Sequence, residues 1–93
     1  MLGTLYTLTP GRPIHLLYFA ALRERMGIAS EVIELPEDVR DVRDLARFLE
    51  ATRPSLTGVL ASVRFAVGDE FAELDRALEP GAVVALIPPV SGG

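Results

Sequence analysis

The last residues of the chain are those whose types and spacing suggest chemistry. Val83 to Ile87 is an unbroken aliphatic run, typical of a buried strand, and Pro88-Pro89 ends it because proline lacks the N–H for the ladder. Val90, Ser91 and the pair Gly92-Gly93 follow. Such an end presents its own α-carboxylate, which can be activated as a mixed anhydride and passed to a nucleophile. Glycine enters a narrow site that excludes side chains. The alternative is an ordinary frayed terminus.

Other reactive groups are scarce in the 93 residues. Cysteine is absent and His15 is the only histidine. The chain therefore offers no thiol nucleophile, no His-based triad and no thiolate metal site. We expect no catalytic residue and no metal site in the chain itself.

Composition limits the classes of partner. The net charge is −4 and the acidic residues are dispersed, which argues against nucleic acid or an anionic membrane and favours a basic surface on another protein. Residues 1–12 lack the basic and long apolar regions of a secretory signal, and no apolar run approaches a membrane span. We expect one cytoplasmic domain, with residues 1–13 as a leader, 14–87 as the folded unit and 88–93 as a flexible tail.

The elements that must position the tail follow from periodicity. Residues 14–20, 31–35, 64–67 and 83–87 are predicted strands. After the turn at Gly68-Asp69, Phe71 and Leu74 belong to a short return strand or an irregular segment. Residues 21–26 form a helical turn closed by Gly27. The one long helix begins after Asp41 as N-cap and ends before Pro54; Val42, Leu45, Ala46 and Leu49 give it a single apolar stripe.

This order predicts an α+β domain in which one helix covers one face of a mixed sheet of four to five strands. The first and last strands are the most apolar, so we place them side by side and parallel at its centre. The first strand is apolar on both faces. Leu17 and Phe19, with Ile87 by strand parity, therefore lie on the uncovered face beside the tail, which predicts a partner-binding surface. The alternative is that residues 56–60 or the leader cover this face.

Three stretches resemble one family. Residues 85–93 resemble the C-terminal signature of the small subunits of molybdopterin synthase, the MoaD-type sulfur carriers of the ubiquitin-like class. Ile14 to Ala20 followed by Leu22-Arg23-Glu24, and the stretch from Phe65 to Phe71, resemble other parts of the same family. The resemblance covers residues 14–93 and implies the ubiquitin-like β-grasp fold.

The resemblance also implies a function. An adenylating enzyme would activate the Gly93 carboxylate with ATP and Mg²⁺, and a sulfur donor protein would convert the acyl-adenylate into a thiocarboxylate. Pro88, Pro89, Val90, Ser91 and Gly92 would then enter the active site of the synthase large subunit, where sulfur passes to a cyclic pterin precursor of the molybdenum cofactor. The chain itself would bind no cofactor, and the complex would be a heterotetramer.

Three other functions use the same features. A related carrier serves thiamine, cysteine or tRNA thiolation on this fold, and a ubiquitin-like modifier joins its terminal glycine to lysines of target proteins. An interaction module with an inert terminus is the third. Residues 87–91 favour the molybdopterin branch.

Overall fold

The structure, a computed structural model, describes residues 11–89. Its first strand, β1 (Pro13–Tyr18), pairs antiparallel with β2 (Ser30–Glu34), and a short helix, α1 (Ala21–Met26), connects them. Gly27 ends α1 in the left-handed conformation at φ 77°, as the sequence predicts. Two parts of the chain lie outside the described range. They are residues 1–10, which include most of the expected leader, and residues 90–93, which include most of the expected tail.

The long helix, α2 (Val42–Thr52), has the predicted ends. The Asp41 carboxylate accepts the backbone N–H of Asp44 at 2.8 Å, and the chain turns extended at Arg53, directly before Pro54. Two short 3₁₀ turns follow, Pro54–Leu56 and Leu60–Ser62. They place Leu56 and Leu60 in the core rather than over the other side of the sheet.

Three further strands complete the sheet. They are β3 (Arg64–Val67), β4 (Glu70–Ala72) and β5 (Val83–Ile87), in the spatial order β2-β1-β5-β3-β4. The predicted pairing of the first and last strands is confirmed: β1 and β5 are adjacent and parallel, with Leu16 opposite Val84 and Tyr18 opposite Leu86. Strand β5 is central, and β3 pairs with its other side in antiparallel orientation.

One hydrophobic core lies between α2 and the sheet. The strands contribute alternate residues to it, and their fully buried members include Ile14, Leu16, Tyr18, Val84 and Leu86. The helix contributes Val42, Leu45 and Leu49, the stripe that the periodicity predicts. The predicted α+β architecture, with one main helix on one face of a mixed sheet, is confirmed.

The bounds of the first two strands differ from prediction. The first strand ends at Tyr18 and not at Ala20, because Ala20 has φ 51° and ψ −125°, a conformation that turns the chain out of the ladder. The second strand runs from Ser30 to Glu34 and not from 31 to 35. Leu35 is buried beyond its end, and its N–H still donates to the Arg12 carbonyl at 3.0 Å.

Candidate functional site

The chain leaves the sheet at the carboxyl end of β5. Ile87 and Pro88 are half-buried and Pro89 is exposed. The Phe19 N–H donates to the Leu86 carbonyl at 3.3 Å, so that β1 and β5 are joined up to the residue before Ile87. The proposed tail residues Val90, Ser91, Gly92 and Gly93 lie outside the described residues. The insertion of the tail into a partner, and Gly93 as the attachment point, therefore stay predictions.

The side of the sheet away from α2 carries its own apolar surface, here called the open face. Strand parity and cross-strand register assign to it alternate residues of all five strands: Pro13, His15, Leu17, Ser30, Val32, Glu34, Arg64, Ala66, Phe71, Val83, Ala85 and Ile87, with Phe19 directly after β1. The large side chains remain accessible. Val32 is 59% exposed, Phe71 58%, Phe19 42% and Val83 39%. Exposed apolar side chains in one contiguous group are typical of an interaction surface.

The structure brings the three predicted docking residues to the same end of this surface. Leu17 and Ile87 are half-buried, Phe19 is exposed, and all three lie beside the exit of the tail. Their placement agrees with strand parity. That the open face binds a partner stays a prediction, since the structure holds this chain alone.

Sequence reasoning missed other members of the open face. Val83 could have been found, because it shares the parity of Ile87 in β5. Phe71 and Arg64 could not, because their faces depend on the register of the short β3-β4 hairpin, which the sequence left open. The register places Phe71 opposite Ala66 and Arg64 opposite Ile87.

A polar network ties the tail end of β1 to the rest of the fold. The Tyr18 hydroxyl donates to Glu31 Oε2 at 2.6 Å, and Arg53 donates to the same carboxylate through Nε at 3.1 Å and Nη2 at 2.9 Å. The Arg53 hydrogen bonds lower the pKa of Glu31, whereas burial and the Glu31 carboxylate raise the pKa of Tyr18. Strands β1 and β2 and the end of α2 are thereby joined beside the tail.

The described part of the chain assembles no cluster of side chains that could hold a metal ion. Within residues 11–89, no group of three His, Cys, Asp or Glu side chains is placed to hold a metal ion. His15 is exposed on the open face. No helix in this range is long and apolar enough to cross a membrane. The candidate site consists of the tail exit and the exposed apolar side chains of the open face.

A model of the ThiS family matches residues 16–93. The chain belongs to the ThiS family. A relative of this ThiS-family chain, from Homo sapiens, is named molybdopterin synthase sulfur carrier subunit. It is 37% identical over an alignment of 83 residues, and the match covers 86% of this chain and 93% of the relative. These matches confirm the predicted resemblance.

Two solved structures share the fold. One, from Pyrococcus furiosus, is provisionally named molybdopterin converting factor subunit 1; it has a TM-score of 0.74 and 31% identity, and the match covers 84% of this chain and 98% of that one. The other is SAMP1 from Haloferax volcanii, with a TM-score of 0.74 and 27% identity, covering 87% of this chain and 99% of that one. The ThiS-family chain has the predicted ubiquitin-like β-grasp fold.

Proposed function

We propose that the chain is the sulfur-carrier subunit of molybdopterin synthase, which delivers sulfur in molybdenum cofactor biosynthesis. The observation that carries the proposal is the match to the human sulfur carrier subunit over 93% of that protein's length. The family match that continues to Gly93 supports the same role for the Gly-Gly end. We propose a cytoplasmic location, where the ATP that this activation requires is available.

The chemistry requires little of the chain beyond its terminus. The Gly93 carboxylate attacks the α-phosphorus of ATP on an adenylating enzyme that holds Mg²⁺, and pyrophosphate leaves. A persulfide of a donor protein then attacks the acyl carbon and AMP leaves, which gives an acyl disulfide. A second thiol of the partner proteins attacks the donor sulfur of this disulfide, so that the thiocarboxylate is released and the two partner thiols are left as a disulfide. Adenylation supplies the leaving group, and glycine leaves the acyl carbon unhindered. The acids and bases for these steps belong to the partner enzymes, in keeping with a site made of a tail and a docking surface.

The large subunit of the synthase is the partner for the open face. Phe19 and Ile87 lie at the root of the tail, so a protein that covers them also receives the residues that follow Pro89. A face with four large apolar side chains between 39% and 59% exposed gains free energy when another surface removes it from water. Docking and tail insertion then take place together, and Pro88-Pro89 restrict the directions in which the tail leaves the sheet.

A second candidate function is the modification of other proteins, because SAMP1 has the same fold at 27% identity. A ubiquitin-like modifier uses the same acyl-adenylate, yet its terminal glycine ends on a lysine amine of a target protein. The carriers for thiamine, cysteine or tRNA thiolation differ only in the acceptor of the sulfur. The acceptor, rather than the activation, distinguishes these functions.

The deciding experiment follows the sulfur by mass. Co-expression with the adenylating enzyme and a sulfur donor is expected to raise the intact mass by about 16 Da, the exchange of one oxygen for sulfur, in a chain with no cysteine to oxidise. The purified thiocarboxylate, mixed with the large subunit and the cyclic pterin precursor, should return to the carboxylate as the dithiolene forms. A variant extended by one residue after Gly93 is the control and should stay unmodified.

Each contrary result has its own meaning. An unchanged mass, or full thiocarboxylation of the extended variant, contradicts the assignment of Gly93. A thiocarboxylate that the large subunit does not discharge points to another carrier branch. Conjugates of higher mass in a lysate supplied with ATP and the adenylating enzyme point to a protein modifier.

A further inference from the structure

A positive charge is fixed at the tail end of the open face. Arg64, the first residue of β3, places its guanidinium carbon 3.9 Å from the centre of the Phe71 ring. The register puts Arg64 directly opposite Ile87, the last residue of β5 before the two prolines. The cation therefore lies on an exposed aromatic ring of β4, and the backbone of Arg64 pairs with the last residue before the prolines.

The described residues supply no carboxylate for this cation. Between residues 11 and 89 the ion pairs are Arg53–Glu31 and Arg76–Glu70, and the Arg64 side chain donates none of the hydrogen bonds found there. Stacking on Phe71 restricts the plane of the guanidinium and leaves its N–H donors without a protein acceptor in this range. Within the described residues, Arg64 is thus oriented on an aromatic ring without an ion-pair partner.

The charged residues of the open face lie at opposite ends of it. Among its strand residues Arg64 is the only arginine, and Glu34 lies on the same side at the far edge. Glu34 pairs with Pro13 at the start of β1, whereas Arg64 pairs with Ile87 at the end of β5. The two charges occupy opposite corners of the sheet, and the positive corner is the one from which the tail leaves.

A partner that covers Phe71 and Ile87 must also remove Arg64 from water. Burial of an unpaired guanidinium costs more free energy than the neighbouring apolar contacts return, so a stable complex needs an acceptor opposite it. A carboxylate fits best, because its two oxygens match the fork of guanidinium N–H groups.

We propose that Arg64, held on Phe71, is a specificity-determining residue that pairs with a carboxylate of the large subunit beside the opening that receives the tail. The inference rests on the proposed function, since it names the chemistry of that partner's surface. The pair fixes the rotational orientation of the docked chain, so that the tail enters the opening rather than lying across it. A ThiS-family partner that lacks an acidic group at this place is excluded by the desolvation of Arg64.

The test measures the dissociation constant of the full chain and the large subunit by titration calorimetry. Arg64→Met keeps the length and apolar contact of the side chain but removes the charge, and we expect binding at least about tenfold weaker. Arg64→Lys keeps the charge without the fork and should lie between Met and wild type. Arg43→Met is the matched control: it removes one charge from the exposed surface of α2 and should leave binding unchanged.

Salt dependence separates an ion pair from lost stacking. Between ionic strengths of about 0.01 and 1 M the Debye length falls from roughly 30 to 3 Å, and wild-type affinity should decrease more steeply than that of Arg64→Met. An Arg64→Met variant with wild-type affinity overturns the inference while the proposed function stands. Weaker binding with an unchanged salt dependence also overturns it, since a carbonyl acceptor or lost packing then explains the effect. Failure of the wild-type chain to bind overturns both.

Discussion

The two faces of the sheet use neighbouring residues of the same strands for different purposes. On the covered face Leu16, Tyr18 and Leu86 are at most 1% exposed and form the core with α2. On the open face Phe19 and Phe71 remain 42% and 58% exposed, although they are as apolar as their neighbours. Hydrophobicity alone therefore does not distinguish a core residue from a recognition residue. The position of α2 distinguishes them, because the face of the sheet that α2 covers is removed from water.

The largest expected effect comes from two phenylalanines on adjacent strands. Phe65 is 4% exposed on the covered face, and Phe65→Ala should lower the free energy of unfolding by about 3–5 kcal/mol. Phe71→Ala removes the same group from the open face and should cost less than about 1 kcal/mol, since it loses mainly the contact with Arg64. Urea unfolding of both variants measures the difference. Equal losses would mean that the open face belongs to the core.

The sequence predicted the covered face well because its signals are local. Asp41 as N-cap, Pro54 as helix end and the spacing of Val42, Leu45 and Leu49 fix the helix and its buried stripe. The aliphatic run before Pro88 likewise marks β5 as the central strand. Each of these features depends on residues a few positions apart, and the structure confirms them.

The open face was predicted only in part, and the contact between Glu31 and Arg53 was not predicted. Both depend on residues that are far apart in the sequence. Leu17 and Phe19 follow from parity within one strand. Arg64 and Phe71 meet only through the register of β3 and β4. The contact of Glu31 with Arg53 joins residues 22 positions apart, across two elements that the sequence does not align. Pairings of this kind require the folded topology.

The next effect concerns binding rather than folding. Phe19→Ala should weaken binding of the large subunit by about 1–2 kcal/mol, as removal of an interfacial aromatic side chain does. Its effect on unfolding should stay well below that of Phe65→Ala, because the ring is already 42% exposed. Calorimetric titration and urea unfolding on the same variant measure the two quantities. A core-sized loss of stability with unaltered affinity would place Phe19 in the core and invert the assignment of the faces.

A smaller effect is expected at the edge of the covered face, where Glu31 joins Tyr18 and Arg53. Arg53 lowers the pKa of Glu31 below its ordinary value of 4.5, so this carboxylate stabilises the fold above that pH and loses its contribution as the pH falls through the lowered pKa. Glu31→Gln should cost about 1 kcal/mol at pH 7, a value reduced by solvent screening of the partly exposed pair.

Urea unfolding of wild type and Glu31→Gln at neutral and strongly acidic pH tests the sign. The stability difference should shrink in acid, because wild-type Glu31 is then protonated and resembles glutamine. Glu24→Gln, at an exposed position on α1, should show little difference at either pH. A Glu31→Gln penalty that is the same in acid would assign the stability to packing rather than to charge.

The smallest effect is expected where the chain turns away from the open face, at Ala20. Its φ of 51° is unfavourable for a residue with a Cβ, at a cost of about 1–3 kcal/mol that glycine avoids. Glycine also raises the entropy of the unfolded chain, which returns about 0.4–1 kcal/mol. Ala20→Gly should therefore stabilise the fold by on the order of 1 kcal/mol.

The adjacent Ala21→Gly is the matched control and should destabilise by about 0.5–1 kcal/mol, since Ala21 is the first residue of α1. Thermal and urea unfolding of the two variants should thus give opposite signs. Destabilisation by both would mean that Ala20 is unstrained and that the turn after Phe19 is set by packing.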